Sequence, residues 1–160
     1  MSDEAANPKA ARNFALQLLA RRDHCKAELI LKLVRQGFDR ALAEETVAAL
    51  EAERAVDDER YVRNFVDYQA RQGYGPVRIG YKLRGPNLKL DRELIDRALA
   101  DEASWVKKAE EVREKKFGAS FPTEHRDRVK QAYFLQHRGF TASQIRLAMG
   151  TDIQIDDDWK

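Results

Sequence analysis

The chain has 160 residues, enough to bury a sizeable core, and its 43% hydrophobic and 35% charged residues give a globular composition with an elaborate charged surface. A single cysteine, Cys25, excludes an internal disulfide, and no apolar run approaches the roughly 20 residues that a membrane-spanning helix needs. The formal net charge of +2 conceals a polarised distribution, with eight acids against two arginines in residues 39–59 and five basic residues with no acid in residues 71–89. The opening residues lack the charged and apolar regions of a signal peptide, so a cytoplasmic protein is expected.

Residues 1–9 read as a flexible leader. A first helix follows through Phe14, Leu16, Leu18 and Leu19 and ends near Arg22. Asp23 is placed to cap a second, which runs through Leu29, Ile30, Leu33 and Val34 to Gln36, where Gly37 supplies a left-handed stop. Asp39 is placed to cap a third, through Leu42, Val47 and Leu50 to about Arg54.

The second set opens on Asp57-Asp58-Glu59, acids that complement the positive end of a helix carrying Tyr61, Val62, Phe65, Val66 and Tyr68. These carboxylates read as caps, because no further metal ligand stands at a useful spacing. Gly75-Pro76 starts a short helix, since proline at the first helical position gives up an amide that has no partner there. At about 100° per residue, Pro76, Ile79, Gly80 and Leu83 share one face and Arg78, Tyr81 and Lys82 the other. Asp91 then caps a helix with Leu94, Ile95, Ala98 and Leu99.

In the third set a helix runs from Trp105 to about Phe117 and stops at Gly118. Thr123 is placed to cap the next, through Val129, Ala132 and Leu135 to Arg138, with Gly139 as its stop. Thr141 with Gln144 forms a capping box for a last helix reaching Gly150, and an acidic tail with Trp159 as a possible anchor occupies residues 151–160.

No window alternates as a strand does, so the chain reads as all-α. A Leu-to-apolar spacing of five residues recurs at Leu33…Gly37-Phe38, Leu83…Asn87-Leu88 and Leu135…Gly139-Phe140, 50 and then 52 residues apart, with Asn87 in the glycine position of the middle copy. That spacing implies three three-helix repeats, over residues 10–56, 57–103 and 104–150, stacked into an elongated, curved array with an extended inner surface.

Leu19-Ala20-Arg21-Arg22-Asp23-His24 with Glu28-Leu29 and Lys32-Leu33, Asp57-Asp58-Glu59-Arg60-Tyr61, Gly73-Tyr74-Gly75-Pro76 with Arg78-Ile79 and Leu83, and Arg138-Gly139-Phe140 together resemble the RecX regulatory proteins across nearly all of residues 14–150. The resemblance implies a tandem array of three-helix repeats that binds the RecA filament along its groove. It further implies inhibition of filament extension, ATP hydrolysis, strand exchange and the co-protease activity behind the SOS response. A monomer is expected, with DNA contacted indirectly or weakly and no cofactor. Cys25 stands where that family often has serine, and Leu83-Arg84-Gly85-Pro86-Asn87-Leu88 replaces a longer polar stretch, so Pro86 should shorten the middle helix.

For such a partner, arginine and lysine with neighbouring aromatics are the appropriate chemistry. The middle repeat supplies Arg71, Tyr74, Arg78, Tyr81, Lys82 and Arg84; the third supplies Arg126, Arg128, Lys130, Arg138 and Arg146 against a single acid, Asp127. His125 and His137 read as surface residues. His24 beside Cys25 makes no catalytic pair, because adjacent helical residues point about 100° apart. No phosphate loop, zinc spacing or nucleophile elbow is present, which leaves catalysis without candidate residues. The alternative reading is a stand-alone DNA-binding protein, since a three-helix unit with glycine turns resembles a helix-turn-helix.

Overall fold

A computed structural model describes residues 3–150. Among the described residues there are nine α-helices and no strand: α1 (Pro8–Arg21), α2 (Lys26–Gln36), α3 (Arg40–Ala52), α4 (Asp58–Arg71), α5 (Pro76–Leu83), α6 (Arg92–Ala98), α7 (Glu102–Phe117), α8 (His125–Arg138) and α9 (Ala142–Met149), preceded by a 3-10 turn at Asp3–Ala6. They group into two compact units. The first runs to Arg63 and takes in Arg84–Leu94, and the second holds Asn64–Leu83 and resumes at Ile95.

Helical structure is present before residue 10, with the 3-10 turn at Asp3–Ala6 and α1 from Pro8. Pro8 begins α1 for the same reason that Pro76 begins α5, and the Asn7 side chain accepts from the amides of Lys9 and Ala10. Three other boundaries differ from the sequence reading. Cys25, not Asp23, caps α2, with its amide donating to Glu28 Oε1 at 3.2 Å. α7 starts at Glu102, where Asp101 accepts from the Ser104 amide at 3.2 Å. Glu124, not Thr123, precedes α8, and the Thr123 carbonyl is taken by Arg128. Asp39 stands at the start of α3 without a side-chain cap bond. Asp57 accepts from the Arg60 amide of its own helix, while Asp58 reaches the Lys26 amide at the start of α2, so the acids do act as caps, for two helices. Residues 151–160, where the acidic tail and Trp159 were read, lie outside the described residues.

In the first unit Ala11, Ala15, Leu29, Leu33, Phe38, Ala43, Val47, Leu50 and Val56 form one buried cluster, with the Phe14 ring 6.2 Å from Phe38. In the second, α7 and α9 pack together with α8 on both, burying Trp105, Ala109, Ala132, Leu135, Phe140, Ile145 and Ala148. The Trp105 indole donates to the Leu99 carbonyl at 3.0 Å. α5 buries Pro76, Ile79, Gly80 and Leu83, the face that its periodicity assigns to the core.

The repeated turn stands at two of its three expected places. Phe38 donates to Leu33 O and Phe140 to Leu135 O, at 3.1 and 3.2 Å, around left-handed Gly37 (φ 113°) and Gly139 (φ 100°). The same geometry also ends α3, where Ala55 donates to Leu50 O at 2.9 Å around Arg54 (φ 62°), and α4, where Tyr74 donates to Gln69 O at 3.1 Å around Gly73 (φ 91°), so it is a general helix stop here and not a mark of the repeat. At the expected place, Asn87 does not take the left-handed form; Leu88 donates to Gly85 O, and Lys89 carries the positive φ, 44°. Pro86 is the cause. It cannot continue a helix past Leu83, so no last turn exists there for a left-handed residue to close.

Candidate polyanion-contact surface

The surface begins with two glycine turns lying against each other in the second unit. The Gly75 amide donates to the Arg138 carbonyl at 2.7 Å, and the Val77 amide to the Gly139 carbonyl at 2.9 Å. A Cβ on Gly75 would stand 2.5 Å from the Gly139 carbonyl carbon, and one on Gly139 would stand 2.5 Å from Arg78 Cβ. The α4–α5 and α8–α9 connections therefore touch backbone to backbone only because both residues lack a side chain.

That contact gathers cations from distant parts of the sequence onto one ring. The Arg78 guanidinium lies 3.9 Å from the Tyr74 ring centre, Arg138 lies 5.4 Å away and the Lys82 ammonium 5.5 Å. Arg138 is also 5.2 Å from the Phe134 ring, which meets Lys116 at 5.7 Å and Phe117 edge-on at 5.3 Å. Ring faces partly offset the mutual repulsion of these cations and hold the guanidinium planes, leaving their edges for oxyanions. Arg78 Nε is buried without a hydrogen-bond partner.

Of the residues expected from the sequence, Tyr74, Arg78, Lys82 and Arg138 are thus brought together, and exposed Arg71 lines the adjoining groove with Arg138. Tyr81 is 70% exposed on α5. Arg126 and Lys130 share an exposed face of α8, and half-buried Arg146 lies on α9. Arg128 is committed to structure, donating to the Thr123 carbonyl at 2.7 Å. Arg84 falls in the first unit. Lys108, Lys115 and Lys116 were not singled out from the sequence, yet all three line the groove with Arg71 and Arg138. The lysine doublets at 107–108 and 115–116 were the available signal, and reading α7 only as a core helix passed over them.

The first unit offers no comparable constellation among its described residues. Burial pushes the Cys25 thiol up to about 11, so it stays protonated near neutrality. His24 is buried, with Nδ1 3.0 Å from the Arg22 carbonyl and Nε2 2.8 Å from Lys32 Nζ; these partners assign the ring proton to Nδ1. No group of three or more His, Cys, Asp or Glu side chains suited to a metal occurs among the described residues.

Comparison with known proteins decides the family. Residues 11–50, 57–99 and 105–149 match the first, second and third three-helix domains of RecX. The chain belongs to the RecX family. It is 40% identical over 158 residues to the regulatory protein RecX of Halorhodospira halophila, covering 98% of this chain and 97% of that protein. The RecX of Pseudomonas entomophila is 39% identical, over 96% of this chain and 99% of its own. The fold matches the crystal structure of RecX from Lactobacillus salivarius with a TM-score of 0.76 at 19% identity, over 94% and 97% of the two chains. A second crystal structure, of a regulatory protein RecX, gives 0.71 at 21% identity over 92% of this chain and 74% of that one. No helix among the described residues is long and apolar enough to cross a membrane.

Proposed function

We propose that this RecX-family chain binds the RecA nucleoprotein filament and inhibits its extension, ATP hydrolysis, strand exchange and co-protease activity. It acts as a cytoplasmic monomer built on three functional repeats, over residues 10–56, 57–103 and 104–150, and uses no cofactor. The observation that carries this reading within the family is the Tyr74 cluster: Arg78, Lys82 and Arg138 are gathered on one ring by glycine turns that tolerate no side chain. Such a surface suits a filament that presents phosphates and acidic side chains together. DNA is met weakly or through RecA, consistent with the small net charge.

The test is RecA ATPase activity on single-stranded DNA over a concentration series of this protein. Turnover should fall at or below equal amounts, and unchanged turnover and strand exchange across the series would sink the proposal. Arg78→Glu with Lys82→Glu should relieve the inhibition. If that double variant inhibits like the parent, the contact surface lies elsewhere although the regulatory role stands. Specific, salt-dependent binding to a duplex site without RecA would instead support the stand-alone DNA-binding reading.

A further inference from the structure

We propose that the groove where α4, α7 and α8 end is a binding site for a short run of phosphates, the chemistry shared by a nucleoside triphosphate and inorganic tripolyphosphate. The groove encloses about 450 Å³, within the range of small-molecule sites. Arg71, Lys108, Lys115, Lys116 and Arg138 supply its charge. Its one acid, Glu111, is engaged by Lys108 at 3.0 Å.

Cations in the last turn of a helix are often there only to complement the helix dipole, and three helices end here. Each C-terminus carries roughly half an elementary negative charge, so all three together with Glu111 offset roughly half of the five cations. A surplus of roughly two to three positive charges remains inside the groove. Arg138 is pre-positioned against the Tyr74 and Phe134 rings, which orders its planar fork before any ligand arrives.

Charge density selects the occupant. An acidic peptide sends successive side chains to opposite sides, so a given wall meets a carboxylate only at every second residue. A nucleic-acid strand carries one charge per nucleotide, with a sugar between phosphates. A triphosphate sets neighbouring charged groups one bridging oxygen apart, which suits several cations in a single bowl. The rings support the same choice, since cations lie on Tyr74 and Phe134, and Phe117 also packs on Phe134, all of which compete with a stacking base. Val112 and Ala70 form an apolar wall on which a nucleoside can rest.

The experiment is calorimetric titration of the full chain, free of metal and of any other protein, with sodium tripolyphosphate, with ATP and with a thymidine oligonucleotide. One saturable tripolyphosphate site with a sub-millimolar Kd is expected. Lys116→Gln with Arg138→Gln should weaken it by at least about tenfold, the equivalent of about 1.4 kcal/mol. Lys115→Gln with Lys116→Gln changes only exposed lysines, keeps the fold and should act in the same direction, whereas Lys9→Gln in the first unit should change nothing. ATP binding more tightly than tripolyphosphate assigns the nucleoside to the apolar wall; equal affinity assigns the site to the phosphates alone. Absence of saturable binding at millimolar ligand overturns the proposal, as does unaltered affinity in both double variants. An oligonucleotide that binds through these residues more tightly than tripolyphosphate also overturns it and makes the groove a nucleic-acid surface.

Discussion

The two units differ in how their most prominent cations are held. In the first, cations meet carboxylates: Arg12 pairs with Glu53 at 2.6 Å, Arg22 with Glu28 at 2.9 Å and Lys26 with Glu51 at 2.8 Å, while Arg60 ties down the Arg54 and Ala55 carbonyls. In the second, Arg78 and Arg138 are held by ring faces and by two touching glycine turns, and neither has an ion pair with a described carboxylate. A cation matched to an acid is spent on structure, and one held on a ring keeps its in-plane donors for a partner. Net charge alone does not separate the two uses.

The comparison can be broken most forcefully at the turns. Gly37 and Gly139 close the same kind of helix end with similar φ, but a Cβ on Gly37 meets nothing within 4 Å. Gly37→Ala should cost about 1–2 kcal/mol, the left-handed strain alone. Gly139→Ala should cost about 2–5 kcal/mol, because overpacking against Arg78 adds to that strain. Urea denaturation of the two variants checks this; equal costs would mean that the docked turns are not rigid.

A smaller effect tests the ring. In a double-mutant cycle, Tyr74→Leu and Arg78→Gln should show a coupling of about 0.5–2 kcal/mol, while Tyr74→Phe should keep most of it. Additive costs would remove the ring from the account of Arg78.

The first unit should answer to pH through His24. Burial holds its imidazole below the ordinary value, the Arg22 carbonyl opposes this, and the charges of Arg22 and Lys32 reinforce it. The folded chain therefore takes up the proton less readily than the unfolded one. Stability from this source is complete above the unfolded value, about 6.5, and is lost as the pH falls from there through the folded value. Denaturation between pH 5 and 8 should show that slope, and His24→Gln should flatten it. The smallest expected change is Glu44→Gln, which removes a 3.9 Å pair with Arg40 on the surface of α3 and should shift stability by about 0.5 kcal/mol or less.

Much of the fold was legible because local chemistry decides it. The buried face of α5, the stops at Gly37, Gly118 and Gly139, and the Thr141–Gln144 capping box all follow from spacing and residue type. Where the reading missed, a competing contact won. Pro8 started α1 by the rule applied at Pro76, and Cys25 took the cap position of α2, with Glu28 satisfying its amide and Asp58 the next. The turn expected at Asn87 is absent, since Pro86 cannot continue α5 past Leu83.

By itself the sequence determined the helical class, most helix ends and the acid-free stretch from Arg71 to Lys89, since periodicity, capping and composition act within a few residues. It placed Arg78 and Lys82 on one helix face. Only the tertiary structure set Arg138 of α8 on the same tyrosine, because that depends on two glycine backbones meeting across more than sixty residues. The lysines of α7 joined the groove for the same reason. Their neighbours there are chosen by where three helices end together, and no local spacing along the chain records that.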